Sequence, residues 1–489
     1  MRETVLSPVA PQGFPGQTNL IDFGFDGFPD PLRAAPGLEL LKSATFFIDA
    51  ANAKTGDAYA FNQGTGGFAL DARYGSSLAI GAADTNDPLL LPWTGENYVY
   101  LPGVAGNYAN APHNDAYNIT GDIELVARVA LDSWFPSTAN VLIASVQSDP
   151  NRRFRWTVQP TSGQTFLELW PTGSAASAVS RGSALSAPIA GATYWLKATL
   201  SASTGQVRFY QAPDSTSEPS SWVELATPTA IGVTSIASVT APMEVGGAFS
   251  GTSNNGAGKF YRAIVRDGIG GTTVFDANFT TGITSGAQTT FTESSSNAAT
   301  VTINRSTAGR KCVAVTRPVW LFGTDDYMVV PDNALLNMDA SQSFTVLVVS
   351  RMWTAFTFQV LASKKDDNSV IAGYALRQSS ISRAEMLIAD GTTGISNAVG
   401  VTTTSGALST VAAIRDVGAD NQTTYSNATA STPTADTTNG ILTNTTPFRV
   451  GRYGVSGLNA DMELLAVAVF RRALTATEIA SINTYYGTA

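Results

Sequence analysis

Acid–base chemistry has few side chains to draw on in this chain of 489 residues, which holds one histidine, His113, and one cysteine, Cys312. A Ser-His-Asp triad would have to pair His113 with Asp115 or Asp122, both close in sequence. No Gly-x-Ser-x-Gly elbow accompanies them. His113 sits in Asn110-Ala-Pro-His-Asn-Asp115, a loop by composition, and reads as a loop histidine without a catalytic partner. Glycoside hydrolysis needs two carboxylates facing each other at about 5–9.5 Å. The nearest alternating pair is Asp122-Ile-Glu124, with no third carboxylate beside it, and it reads as the solvated face of a strand. A single cysteine excludes an intrachain disulfide and any zinc or iron–sulfur site with several Cys ligands. Gly64-Thr-Gly-Gly67 is no phosphate loop, since no Lys-Ser/Thr follows it and no helix opens there.

Sugar recognition is a better match to what the chain contains. It needs exposed aromatic faces with amide and carboxylate hydrogen bonds beside them, and Trp134, Trp156, Trp170, Trp222 and Trp353 are available. Trp134 and Trp353 recur in the repeat described below and read as packed residues. Trp170, in Leu169-Trp-Pro-Thr-Gly173, has no counterpart in the second repeat, which makes it the candidate carbohydrate-binding residue.

The elements that must position these residues are strands. Charged residues make up only 14% of the chain against 44% hydrophobic, which is the reverse of a disordered composition. The net charge of −9, with no strong basic cluster, excludes a nucleic-acid binder. No apolar run is long enough to span a membrane. The start, Met1-Arg-Glu-Thr-Val-Leu-Ser-Pro8, lacks the layout of a secretory signal, so a soluble product made in the cytoplasm is expected. Ile123, Leu125, Ala127, Val129 and Leu131 alternate with more polar neighbours at a strand's period of two. Tyr194–Leu200 and Gln206–Tyr210, joined by Ser-Ala-Ser-Thr-Gly205, predict a hairpin. Residues 1–45 differ from the rest. Pro8, Pro11, Pro15, Pro29, Pro31 and Pro36 hold them open, while Phe14, Phe23, Phe25, Phe28, Leu38, Leu40 and Leu41 need cover. They read as an extended arm lying on its own first domain or, the reading favoured here, on a partner subunit.

Self-similarity at long period organises the remainder. At an offset of 219, Tyr108 meets Tyr327, Pro112 meets Pro331 and Trp134 meets Trp353. Later, Pro242-Met-Glu-Val-Gly246 meets Pro447-Phe-Arg-Val-Gly451 at 205, as if the second copy had shorter loops. Ile48-Asp-Ala50 and Phe275-Asp-Ala277 mark where each copy begins. The expected organisation is an arm over 1–45, a first β-domain over 46–273 and a second over 274–489. Thr475-Ala-Thr-Glu478 is a capping box that predicts one short C-terminal helix, with Ile479, Ile482 and Tyr486 on one face and Gly487 as its stop.

The hairpin, the Pro-x-x-Val-Gly strand and the closing stretch Ala460–Ile479, with its Arg472-Ala-Leu and Glu-containing capped helix, resemble the LamG-like, concanavalin A-like jelly-roll family. The wording of Arg262–Ala277 is similar to minor tail proteins of tailed bacteriophages. The resemblance implies two tandem jelly-roll β-sandwiches, all-β, in a virion protein of the tail or baseplate. Glucanases of this fold carry a Glu-x-Asp-x-x-Glu strand, which is absent here, so no enzyme is expected. Relatives often bind calcium, for which Thr324-Asp325-Asp326 or Asn459-Ala-Asp461 would supply oxygens; Asn107 stands where the second copy has Asp326, which argues against a shared site, and no cofactor is expected. The expected function is a structural tail protein whose sandwiches serve as spacer or host-adhesion modules. Its partners would be other virion proteins, docked through the arm, and host cell-surface glycan, in a chain compatible with a homo-oligomer. A carbohydrate-binding receptor module and a capsid-surface decoration protein are the alternative readings.

Overall fold

A computed structural model of the chain describes residues 36–488, apart from 55–58, 76–86, 175–177, 185–187, 226, 228, 308, 324, 355–357, 368–370, 393–394 and 455–457. The fold is all-β. Four antiparallel sheets, two nine-stranded and two eight-stranded, stack as two sandwiches, each around its own apolar core. No helix among the described residues is long and apolar enough to cross a membrane.

In the first sandwich Ile123–Leu131 is a central strand, bonded to Tyr194–Ser201 on one side and Ala257–Asp267 on the other. Its alternating Ile123, Leu125, Ala127, Val129 and Leu131 all point into the core, as their period requires. The opposite face of this strand is not solvated as the alternation suggested; Glu124, Val126, Arg128 and Ala130 are buried as well. The hairpin Tyr194–Ser201 and Gln206–Pro213 forms in the expected register, with Ser201 opposite Gln206. The second sandwich repeats this plan. There Phe344–Met352 lies between Leu408–Asp416 and Met462–Phe470, and Met328–Val330 pairs with Phe448–Val450 as Tyr108–Ala111 pairs with Met243–Val245. Trp134 and Trp353 each follow the central strand of their sandwich.

The two copies do not fold where the sequence repeat divides them. Strand Phe46–Asp49 opens the first copy, yet it pairs with Met462–Phe470 in the second sandwich. Tyr59–Ala60, Ala72–Tyr74 and Leu89–Leu91 follow it there, pairing with one another and with Met328–Val330 and Val319–Leu321. The corresponding strands of the second copy, Thr272–Asn278, Thr290–Thr292, Thr300–Asn304 and Val313–Val315, complete the first sandwich. The boundaries 46–273 and 274–489 are therefore corrected. One sandwich is residues 97–315, inserted between 46–91 and 319–489, which together form the other. Loop closure explains the choice. Ala257–Asp267 reaches Thr272–Asn278 through a tight turn in which Gly268 and Gly270 take φ of +86° and +66°, whereas pairing with Phe46–Asp49 would close a far longer loop.

The end of the arm is also corrected. Residues 1–35 lie outside the described residues, but Pro36–Lys42 is helical rather than extended, with its proline in the first turn, where a missing N–H is harmless. It packs on the predicted C-terminal helix Ala476–Tyr486, whose Thr475–Glu478 capping box and left-handed Gly487 are both present. Leu41 joins Ile479, Ile482 and Tyr486 in one apolar cluster. A Cβ at Gly37 would sit 2.4 Å from the Ser481 carbonyl oxygen, so only glycine permits this approach. This stretch thus docks on its own chain, and on the second sandwich rather than the first.

The sandwiches meet through the same cluster, in which Tyr98, Tyr100, Ala130, Tyr261, Val313 and Val315 of one join Leu91, Val319, Leu321, Leu347 and Val349 of the other. Polar contacts pin the seam. Arg310 binds Asp326 at 2.9 Å and the Asp87 carbonyl at 2.7 Å, and Lys311 binds Asp461 at 2.9 Å.

Candidate functional site

Trp170 is not placed to stack on a sugar. Its side chain is 2% exposed and packs on Val141, Ala144, Val146 and Ala248, with Phe249 alongside. The loop after Met243–Val245 covers it, so its role is packing. A counterpart does exist, but it is not a tryptophan at the same position. In the second sandwich Tyr453, from the equivalent loop, packs on Val360, Ala375 and Leu387 instead. Trp134 is packed as expected, edge-on to Tyr194 at 5.3 Å, with its indole N–H donating to the Ile189 carbonyl.

The outer face beside Trp170 carries a row of residues in cross-strand register: Asn110, Glu244, Ala144, Arg155 and Glu168. Glu244 and Glu168 are three strand spacings apart, roughly 14 Å, beyond the reach of a paired-carboxylate hydrolase. Glu168 is bound to Arg155 at 2.6 Å. Asp122 holds the Ala202 amide at 2.6 Å, and Glu124 is buried in ion pairs with Arg266 and Lys197. Among the described residues His113 pairs with the fully exposed Asp115, at 3.3 Å. Burial pushes the Cys312 thiol up to about 12.

Glu244 is the titratable group of this face. Burial pushes its carboxyl up to about 7, although the Ser250 and Gly251 amides favour the charged form. Those amides come from a strained loop in which Phe249 and Ser250 take φ of +55° and +59°. The folded protein thus keeps the Glu244 proton up to about pH 7, while the unfolded chain releases it near the ordinary value of 4.5. The sign follows: this stabilisation is complete below pH 4.5 and is lost as pH rises through 7. Thermal melts are expected to show a wild-type advantage at pH 5 over pH 8 that shrinks in Glu244→Gln. An unchanged pH dependence in the variant would exclude Glu244 as its source.

The candidate calcium ligands are occupied by the seam. Asp326 receives both Arg310 and the Gly323 amide, and burial raises its carboxyl to about 6 in spite of Arg310. Asp461 binds Lys311 and the Thr354 hydroxyl. Among the described residues no group of three or more His, Cys, Asp or Glu side chains is arranged to hold a metal ion; Thr324 lies outside them. Asn107, at the position of Asp326 in the first copy, does an equivalent job. Its side chain accepts from the Ser306 and Cys312 amides and donates to the Val104 and Arg310 carbonyls.

An open cleft lies between the sandwiches, with a volume of ≈ 650 Å³, inside the range of about 300–1,000 Å³ that small-ligand sites occupy. Asn304, Arg305, Ser306 and Lys311 line one wall, and Trp353, Thr354 and Ser405 line the other. The Arg305 guanidinium lies over the Trp353 ring at 4.8 Å from its centroid. It donates to the Cys312 carbonyl at 3.0 Å and the Gln288 carbonyl at 2.9 Å. The Trp353 indole N–H is buried with no partner among the described residues. Behind the ring, Arg351 pairs with Glu463, whose carboxyl burial holds well above the usual range. Sequence reasoning set Trp353 aside as packed and passed over Arg305. The available signal was Arg305, Arg310 and Lys311, three cations close together in a chain poor in charge.

Fold and strand order define a pair of jelly-roll sandwiches with a polar, aromatic cleft at their junction. Residues 322–480, the larger part of the second sandwich, match the family described as the concanavalin A-like lectin/glucanases superfamily, in its Laminin_G_3 form. The binding domain of Paraclostridial Mosquitocidal Protein 1 is similar at 14% identity and a TM-score of 0.29, over 35% of this chain and 44% of that one. The chain therefore spans less than half of that domain. The CBM40 of Ruminococcus gnavus IT-sialidase is similar at 12% identity and a TM-score of 0.25, over 31% and 92% of the two chains. The SAP-like pentraxin of Limulus polyphemus is similar at 14% and 0.25, over 38% and 79%. These likenesses are too distant to speak to function. No curated protein matches the sequence.

Proposed function

We propose that the protein is a non-catalytic structural and host-adhesion component of a phage tail, made in the host cytoplasm and carried on the virion. Residues 1–35 anchor it to other tail proteins, and the cleft between the sandwiches contacts host cell-surface glycan. The observation that carries this reading is the seam itself. Exchange of strands and an apolar interface lock two sandwiches together, while leaving one polar, tryptophan-bearing cleft open. The resemblance of Arg262–Ala277 to minor tail proteins supports the location, and the 14 Å-scale separation of Glu244 from Glu168, roughly three strand spacings, supports adhesion over hydrolysis.

Two measurements test the proposal. A chain beginning at residue 36 keeps the helix that packs on Ala476–Tyr486, so it is expected to melt as the full chain does yet fail to enter particles. Normal incorporation would remove the anchoring role. The full chain is expected to bind host surface polysaccharide without releasing reducing ends. Release above buffer would make it an enzyme.

A further inference from the structure

We propose that the cleft takes a carboxylated saccharide, with the ligand carboxylate on Arg305; this rests on reading the cleft as the glycan-contacting surface. Its volume, ≈ 650 Å³, suits a small ligand rather than a single ion. The chain carries a net charge of −9, yet no carboxylate is among the residues lining this cleft. Two cations line it, and they differ. Lys311 is neutralised by Asp461 at 2.9 Å. Arg305 forms no salt bridge among the described residues; the buried Glu463 carboxylate that feels its charge is already paired with Arg351. The Arg305 Nε and one terminal nitrogen are spent on the Cys312 and Gln288 carbonyls, and its plane is fixed over Trp353. Nη1 makes no hydrogen bond to the described residues.

A guanidinium held in this way is preorganised for an anion, because its orientation is already fixed before the ligand arrives. One cation without a salt bridge of its own matches a singly charged carboxylate better than a doubly charged phosphate. The rest of the lining points to a polyhydroxylated partner. The Asn304 amide and the Thr354 and Ser405 hydroxyls donate to Asn110, Asp461 and the Trp353 carbonyl, which leaves their oxygens to accept from a ligand, and the buried Trp353 indole N–H beside them has no acceptor among the described residues. Apart from Trp353 and Ile303, the residues that line the cleft carry polar or charged groups.

The test is calorimetric titration of the full chain with a galacturonate trisaccharide and with its neutral galactose counterpart. The acidic probe is expected to bind, the neutral one about tenfold or more weakly, as loss of one hydrogen-bonded charge contact implies. Added salt should weaken the acidic probe. Arg305→Gln is expected to abolish the preference. Arg305 also supports its own segment, so Ser405→Glu serves as a second variant; it adds a carboxylate to the opposite wall and leaves Arg305 in place. It is expected to repel the acidic probe with an unchanged melting temperature. Equal binding of both probes, insensitive to Ser405→Glu, would overturn the acidic ligand and leave the glycan-contacting reading intact. Binding of neither probe would overturn both.

Discussion

Residues 97–315 expressed alone are expected to fold, and residues 319–489 alone are expected not to. The first stretch contains every strand of its sandwich in one contiguous piece, closed by the hairpin of Ala257–Asp267 with Thr272–Asn278. The second lacks Phe46–Asp49, Ala72–Tyr74 and Leu89–Leu91, and with them the core residues Phe46, Ile48, Ala60, Leu70 and Ala72. Phe46, Ile48 and Leu70 are fully buried. Each contributes about 1.5–3 kcal/mol by burial, and their joint loss is comparable with the whole stability of a typical domain, about 5–15 kcal/mol. Two edges would also be left without their neighbours. Circular dichroism and amide dispersion in NMR decide the matter. Adding residues 36–91 as a separate chain is expected to restore the fold of 319–489. A fragment 46–273 that folds cooperatively, as the sequence repeat would have it, would contradict the exchange.

Trp134→Ala and Trp170→Ala are both expected to destabilise the first sandwich strongly. Each ring is 2% exposed. Removing a buried tryptophan costs about 3–5 kcal/mol, which for a sandwich of this size lowers the melting temperature by roughly 6–20 °C. Trp134 also loses its bond to the Ile189 carbonyl, whereas the Trp170 indole N–H has no partner among the described residues to lose. Trp134→Ala should therefore be the more damaging. Host-glycan binding by refolded Trp170→Ala should match wild type when measured below both transitions. A melting temperature unchanged by Trp170→Ala would return that ring to the surface.

The repeat was legible because paired residues kept their order along the chain, and the capped helix because Thr475, Glu478 and Gly487 are local signals. The exchange was not. Phe46–Asp49 and Thr272–Asn278 carry the same strand pattern, and nothing in either says which edge it will occupy. That depends on the length of chain to be closed, a property of the whole molecule. The cleft was hidden for the same reason, since Arg305 reaches Trp353 only after 272–315 has crossed into the first sandwich. Trp170 misled because its uniqueness in sequence reflected a different filler, Tyr453, at the same place in the second sandwich. Glu124 misled because period two predicts which residues share a face, not whether that face is covered, here by Lys197, Arg266 and the 214–222 loop of its own sandwich.

The exchange also sets a schedule for the ribosome. Phe46–Asp49 emerges early, but its partner Met462–Phe470 is among the last strands made. At about 5–20 residues per second, the first waits roughly 20–80 s for the second. During that interval Phe46, Phe47 and Ile48, all buried in the finished protein, have no native cover. The strand Ala257–Asp267 becomes available meanwhile, with an edge of the matching pattern. The nascent chain must then pass over that early partner, and it does so once Thr272–Asn278 follows across its four-residue turn and takes the edge. A chain released after residue 315 would carry a finished sandwich and an orphaned leading segment, free to pair with the corresponding strands of another copy.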